Sequence, residues 1–326
     1  MIIISLGSGL TSIFGQTKRL VKLCFQEVGF DVERIPLRVG IKITRGDENK
    51  PEDTKDLPPL FDDPLEALYH RLNGKRGAFR CPVGAMVVQN GLSYSPDGWH
   101  PFVAALQEYA AGKSTGYKGS ILERFYEQHR PAHAGEAIVG FEHYPNAYAN
   151  YPPVVYRLAP WQERSIGEVD RQSRKITHSD NKEHGEPGMT MRSDGHPFYG
   201  PVSDRKGRLE YHRLTSIYTT LRAHGYDRTH GHVGVALLKR RNEYRFLLHG
   251  AGNHRAPAMA ALNRKTIPAV FTMPPAYSNR PPLIDLAFVE SWPQVRRGLW
   301  TREQAEAYLH HLFDFDSRAW AQENGL

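Results

Sequence analysis

Cysteine is scarce in this chain: Cys24 and Cys81 are the only two among 326 residues. They lie far apart and fall in no metal or redox motif, which excludes a disulfide-stapled secreted scaffold and a thiolate zinc site. No apolar run approaches the roughly 20 residues that a membrane-spanning helix needs. The opening Met1–Leu6 is short for a signal-peptide core and has no basic start, so the chain reads as cytoplasmic with reduced thiols. Sixteen histidines are present, yet none is spaced as a zinc ligand set. Internal repeats and low-complexity tracts are also missing, which excludes solenoids and arrays.

What remains is an ordinary globular composition, with 40% hydrophobic and 24% charged residues. The length suggests about two domains with a sizeable core. A net charge of +7 and a pI of about 9.3 favour anionic partners: nucleotides, phosphosugars, acidic lipids or nucleic acid.

The N-terminus predicts a Gly7-Ser8-Gly9 turn, a helix over 17–28 and a strand over 30–35. Leu20, Leu23, Cys24 and Val28 share one face of that helix, while Lys18, Arg19 and Lys22 form a basic side. Such a helix packs on a core or rests on an anionic membrane surface. It is similar to the leading helices of enzymes that build bacterial surface glycans, which implies a peripheral place at the inner membrane surface as a second localisation. Residues 41–60 are polar and proline-bearing and read as a loop. Helices follow at 64–72, 100–109 and 120–127, the last with a Ser120/Glu123 capping box. Residues 145–165 are rich in proline and tyrosine and 171–185 are charged, which sets a domain boundary near 165–185. A C-terminal amphipathic helix over 300–313 begins with a second capping box, Thr301/Gln304.

The most informative stretch runs from Tyr244 to Pro268. Tyr244, Phe246 and Leu248 alternate as one face of a strand, Gly250 and Gly252 make a Gly-X-Gly turn, and an alanine-rich helix opens at Arg255. Pro257 is tolerated in the first turn, where its missing N–H would have no partner. A glycine turn opening a helix, with an arginine beside it, predicts an anion site suited to phosphate.

Gly252-Asn253-His254-Arg255, the alanine-rich helix and the strand Thr266–Val270 resemble the ParB/sulfiredoxin superfamily. Arg213–Tyr226 resembles the first helix of that fold and Val233–Leu238 the strand after it, so the likeness covers residues 186–272. It implies a mixed-sheet nucleotide-binding domain over 186–290, which with the helices read above gives an expected α/β (α+β) architecture: a mostly helical N-terminal part over 1–170, that domain, and a helical extension over 291–326. Asn253 stands where sulfiredoxins carry their cysteine nucleophile, so sulfinic-acid chemistry is not expected. Too little chain follows for the helical DNA-binding domain of partition proteins. The resemblance then implies a nucleotide-dependent phosphotransferase using ATP, or ADP or CTP, with Mg2+. Its second reading is a nucleotide- or nucleic-acid-binding module, a nuclease included, without small-molecule turnover.

Phosphoryl transfer needs a phosphate cradle, a metal or cationic clamp, and a group that orients the nucleophile. The expected cradle is Gly250, Gly252, Asn253, His254 and Arg255, with Arg192 and Arg213 as further phosphate ligands. The turn-rich segment 184–203 supplies Glu186 and Asp194 as general base or Mg2+ ligands, and His254 completes the catalytic set. The acceptor is expected to be an anionic or hydroxylated small molecule, such as a sugar of a surface polysaccharide.

Overall fold

A computed structural model describes residues 57–272 and 281–326. The glycine turn, basic helix and strand expected before residue 36 lie outside the described residues.

The fold is α/β, and the described residues form a seven-stranded mixed sheet. Its strands are β1 (Leu60–Phe61), β2 (Ala78–Pro82), β3 (Met86–Val87), β4 (Val233–Arg240), β5 (Glu243–Leu248), β6 (Thr266–Phe271) and β7 (Leu283–Asp285). The order is β1-β2-β6-β4-β5-β3, and β7 extends the β6 side of β4. β4 and β5 form a hairpin in which Leu237 faces Phe246, while β6 runs parallel to β4 with Val233 beside Ala269. From the early part of the chain, β2 pairs directly with β6 and β3 with β5, while β1 lies beside β2 at the edge. Among the described residues no division falls near 165–185: residues 57–272 and 281–326 belong to one unit, and strands β1 to β3 are part of the sheet.

Strand alternation explains how that sheet is covered on both faces. Val233, Val235 and Leu237 of β4 join Phe246 and Leu248 of β5 in one hydrophobic cluster. Helices α2 (Pro101–Ala110), α3 (Ile121–Gln128), α6 (Asp204–His224) and α7 (Arg255–Ala261) cover that face through Phe102, Phe125, Leu214 and Ala258. Ala236, Leu238 and Leu247 point the other way, against Trp300, Tyr308 and Leu309. The last two belong to α9 (Arg302–Asp314), so the C-terminal helix covers the second face of the sheet. Tyr244, expected in the buried face of β5, is exposed near the hairpin end.

The segment expected to be a boundary is instead α4 (Ile166–His184). It starts at a reciprocal capping box in which Ser165 accepts from Glu168 N and the Glu168 side chain accepts from Ser165 N. Its buried face is polar, with Ser173, Thr177 and Asn181 following Val169 at intervals of four, so hydrophobic periodicity does not reveal it. Helix α6 begins at the Ser203 cap and ends at Gly225, whose φ of 76° an L side chain rarely adopts. Its interior Gly207 is required by contact, since a Cβ there would lie 2.1 Å from the Tyr117 ring. The remaining helices are α1 (Pro64–Leu72), α5 (Met191–Asp194), α8 (Pro293–Arg296) and α10 (Ser317–Glu323).

Candidate functional site

The glycine turn between β5 and α7 has the backbone that its sequence requires. Gly250 and Gly252 have φ of 114° and 110°, and a Cβ on Gly252 would press to 2.8 Å from both Val233 methyls. Its side chains are directed differently from the expected cradle. Arg255 donates to the Tyr226 hydroxyl at 2.9 Å and to the carbonyl oxygens of His230, Gly231 and His232 at 3.1, 2.7 and 3.3 Å. Its guanidinium is therefore occupied in closing the loop before β4. His254 Nε2 lies 2.7 Å from Glu210 Oε2, on the face of α6 beneath the turn. Gly250 and Asn253 alone of the expected cradle line a cleft.

Glu210 and Lys206 are both completely buried, with Lys206 Nζ 2.7 Å from Glu210 Oε1 and 2.9 Å from Asn181 Oδ1. Burial pushes the Glu210 carboxyl up. The hydrogen bond from His254 and the charges of His254, Lys206 and Arg213 outweigh it and hold the carboxyl below the usual range. Arg213, expected at the phosphate, pairs with Asp180 at 2.8 Å and lies 3.7 Å from Glu210, so it belongs to this internal network.

The segment 184–203 likewise works inward. Asp194 is 1% exposed, and its carboxylate accepts from Arg205, Ser193, Ser203 and the Thr190 backbone N–H. The Arg205 guanidinium, aided by the two hydroxyls and the Thr190 N–H, holds it well below the usual carboxylate range. With both oxygens engaged, Asp194 is a structural clamp and does not fit the role of magnesium ligand or general base. Glu186 is exposed and Arg192 lines a separate cleft with Pro131, Pro153 and Tyr199, so these two do not gather with the glycine turn. Among the described residues no group of three His, Cys, Asp or Glu side chains is placed to hold a metal ion.

The cleft that includes the glycine turn is partly open to solvent and has a cavity volume of about 50 Å3. Phe102 and His100, at the start of α2, line it together with Asn90 and Phe198. His100 caps that helix by accepting from Phe102 N at 3.2 Å, and burial lowers its pKa to about 3, so its ring is neutral. Phe102 also stacks on His254, with centroids 5.8 Å apart. The irregular segment before α4 contributes Tyr156, Arg157, Gln162 and Arg164. Burial and then the charge of Arg157 lower the Arg164 pKa to about 10, and Arg164 Nε is buried with no acceptor among the described residues. Among the described residues the lining contains these two arginines and no carboxylate. Neither arginine was expected at the site, because the proline-rich segment carries no periodicity or motif that marks them.

No model of a known protein family matches the chain, and no curated protein or solved structure does.

Proposed function

We propose that this chain binds a phosphate-bearing small molecule, of the nucleotide class, in the cleft shared by the glycine turn and Arg157, Gln162 and Arg164. The observation that carries this reading is a pair of arginines facing one concave site whose described lining has no carboxylate. Two neighbouring guanidinium groups raise each other's energy, and an anion between them relieves both. Arg164 Nε also needs an acceptor, and a phosphate oxygen supplies one with a charge-assisted bond. Aromatic and amide side chains complete the lining. The ParB/sulfiredoxin resemblance of Gly252–Arg255 supports a nucleotide among phosphate ligands, with ATP, ADP and CTP as the first to test.

Binding without turnover is the form of this reading that the geometry favours, because no carboxylate in the described lining is available as base or metal ligand. Phosphoryl transfer is the second reading, supported by the glycine turn's presence in the same cleft. A titration of fluorescently labelled nucleotides, with and without Mg2+, tests binding, and release of labelled phosphate with candidate acceptors tests turnover. Saturable binding that is lost in the Arg157→Ala/Arg164→Ala double variant supports the reading. Undiminished binding by that variant contradicts it.

A further inference from the structure

We infer that Gln162 selects ligands that carry a hydroxyl beside their anionic group, which places phosphorylated sugars and ribonucleotides ahead of phosphates without hydroxyls. This selectivity rests on the phosphate binding proposed above, and it narrows the class of ligand.

Gln162 is only 2% exposed, and its Oε1 is buried without a hydrogen bond among the described residues. It lines the cleft two residues before Arg164. An unmet buried acceptor is costly, so a protein that keeps one at a ligand site gains specificity from whatever satisfies it.

The backbone that carries both side chains is held from behind. Gln294, itself 3% exposed, donates from Nε2 to the carbonyl oxygens of Gln162 at 2.5 Å and Arg164 at 2.8 Å. Its backbone N–H donates to Pro160 O at 3.0 Å, and Arg297 donates to Glu163 O. Gln162 and Arg164 therefore leave a fixed strap, as a preorganised site requires.

The two unmet atoms ask for different partners. Arg164 Nε is a donor and takes an anionic oxygen, whereas Gln162 Oε1 is an acceptor and needs a donor, which a phosphate dianion lacks. A cationic ammonium donor is opposed by Arg157 and Arg164, with no lining carboxylate to offset them. A neutral hydroxyl attached near the phosphate satisfies both, and the carboxamide nitrogen of Gln162 can donate back to the same hydroxyl.

The test is calorimetric titration of the full chain with matched ligand pairs: ribose phosphate against phenyl phosphate, and ATP against its dideoxy analogue. The wild type is expected to favour the hydroxyl-bearing member by roughly tenfold to a hundredfold. In Gln162→Met that preference should fall to within about threefold while phenyl phosphate still binds, and Arg164→Ala should weaken both members. Equal affinities in the wild type, or a preference that survives Gln162→Met, overturn the assignment. Failure of every ligand to bind overturns the phosphate reading and this selectivity together. The wild-type comparison needs no variant, so it decides even if Gln162→Met does not fold.

Discussion

Arg255 Nη1 donates to the Gly231 carbonyl oxygen at 2.7 Å, tying the start of α7 to the loop that feeds β4. The same guanidinium holds Tyr226, His230 and His232 and lies over the Tyr226 ring at 5.7 Å. Arg255→Ala is therefore expected to lower stability by about 1–3 kcal/mol, while changing ligand affinity by no more than roughly threefold. Urea unfolding and ligand titration on one preparation separate the two effects.

A second prediction concerns Lys206 and Glu210, whose charges are buried together beneath the glycine turn. Glu210→Ala leaves Lys206 in the interior with Asp180 3.7 Å away as its nearest remaining carboxylate, at an expected loss of about 3–5 kcal/mol. Replacing both, as Lys206→Met with Glu210→Leu, should recover much of that loss, since an apolar pair of similar volume needs no counter-charge. A double-mutant cycle from urea midpoints checks it, and strictly additive losses would count against the pairing.

The buried histidines predict acid sensitivity well above the carboxylate range. Burial lowers the pKa of His100 to about 3 and those of His129 and His311 to about 4, from an ordinary value near 6.5, outweighing the opposing charge of Glu136 at His129 and a backbone hydrogen bond with Val139 at His311. The unfolded chain then binds more protons than the folded one below about pH 6.5, so these groups favour the fold above that pH. Their contribution is lost as pH falls from about 6.5 through the folded values. His100→Asn keeps a capping side chain and removes one titrating group, so its stability should fall less steeply between about pH 6.5 and 4. Urea midpoints across that interval give the slope. Identical slopes for the variant and wild type would remove His100 from the account.

The cleft arginines predict a different pattern, with effects on affinity. Arg157→Ala and Arg164→Ala should each weaken a phosphate ligand by about tenfold to a hundredfold, and added salt should weaken the wild type more than either variant. Binding isotherms at two ionic strengths measure both quantities.

The strand β5, the helix α7 and the strand β6 were legible in the sequence, because alternation and glycine placement are local signals, whereas β4 was expected from the family resemblance alone. Gly225, Gly250 and Gly252 all adopt the positive φ for which glycine suits them. The partnership of β2 with β6 was not legible, because Phe79 and Ala269 are brought together across the chain by tertiary pairing. Asp194 read as a free acid because nothing local reveals Arg205 eleven residues on. Arg157, Gln162 and Arg164 lacked any signal, since the strap they occupy is shaped by Gln294, some 130 residues later.

In the proposed binding mode Arg157 and Arg164, and not Arg255, hold the ligand's phosphate. Calorimetric titration of ATP into the wild type, Arg164→Ala and Arg255→Ala, each verified as folded by circular dichroism, tests it most directly. Affinity is expected to fall by about tenfold or more in Arg164→Ala and to stay near wild type in Arg255→Ala. Loss of binding in a folded Arg255→Ala, with Arg164→Ala unaffected, would return the phosphate to the glycine turn and contradict it.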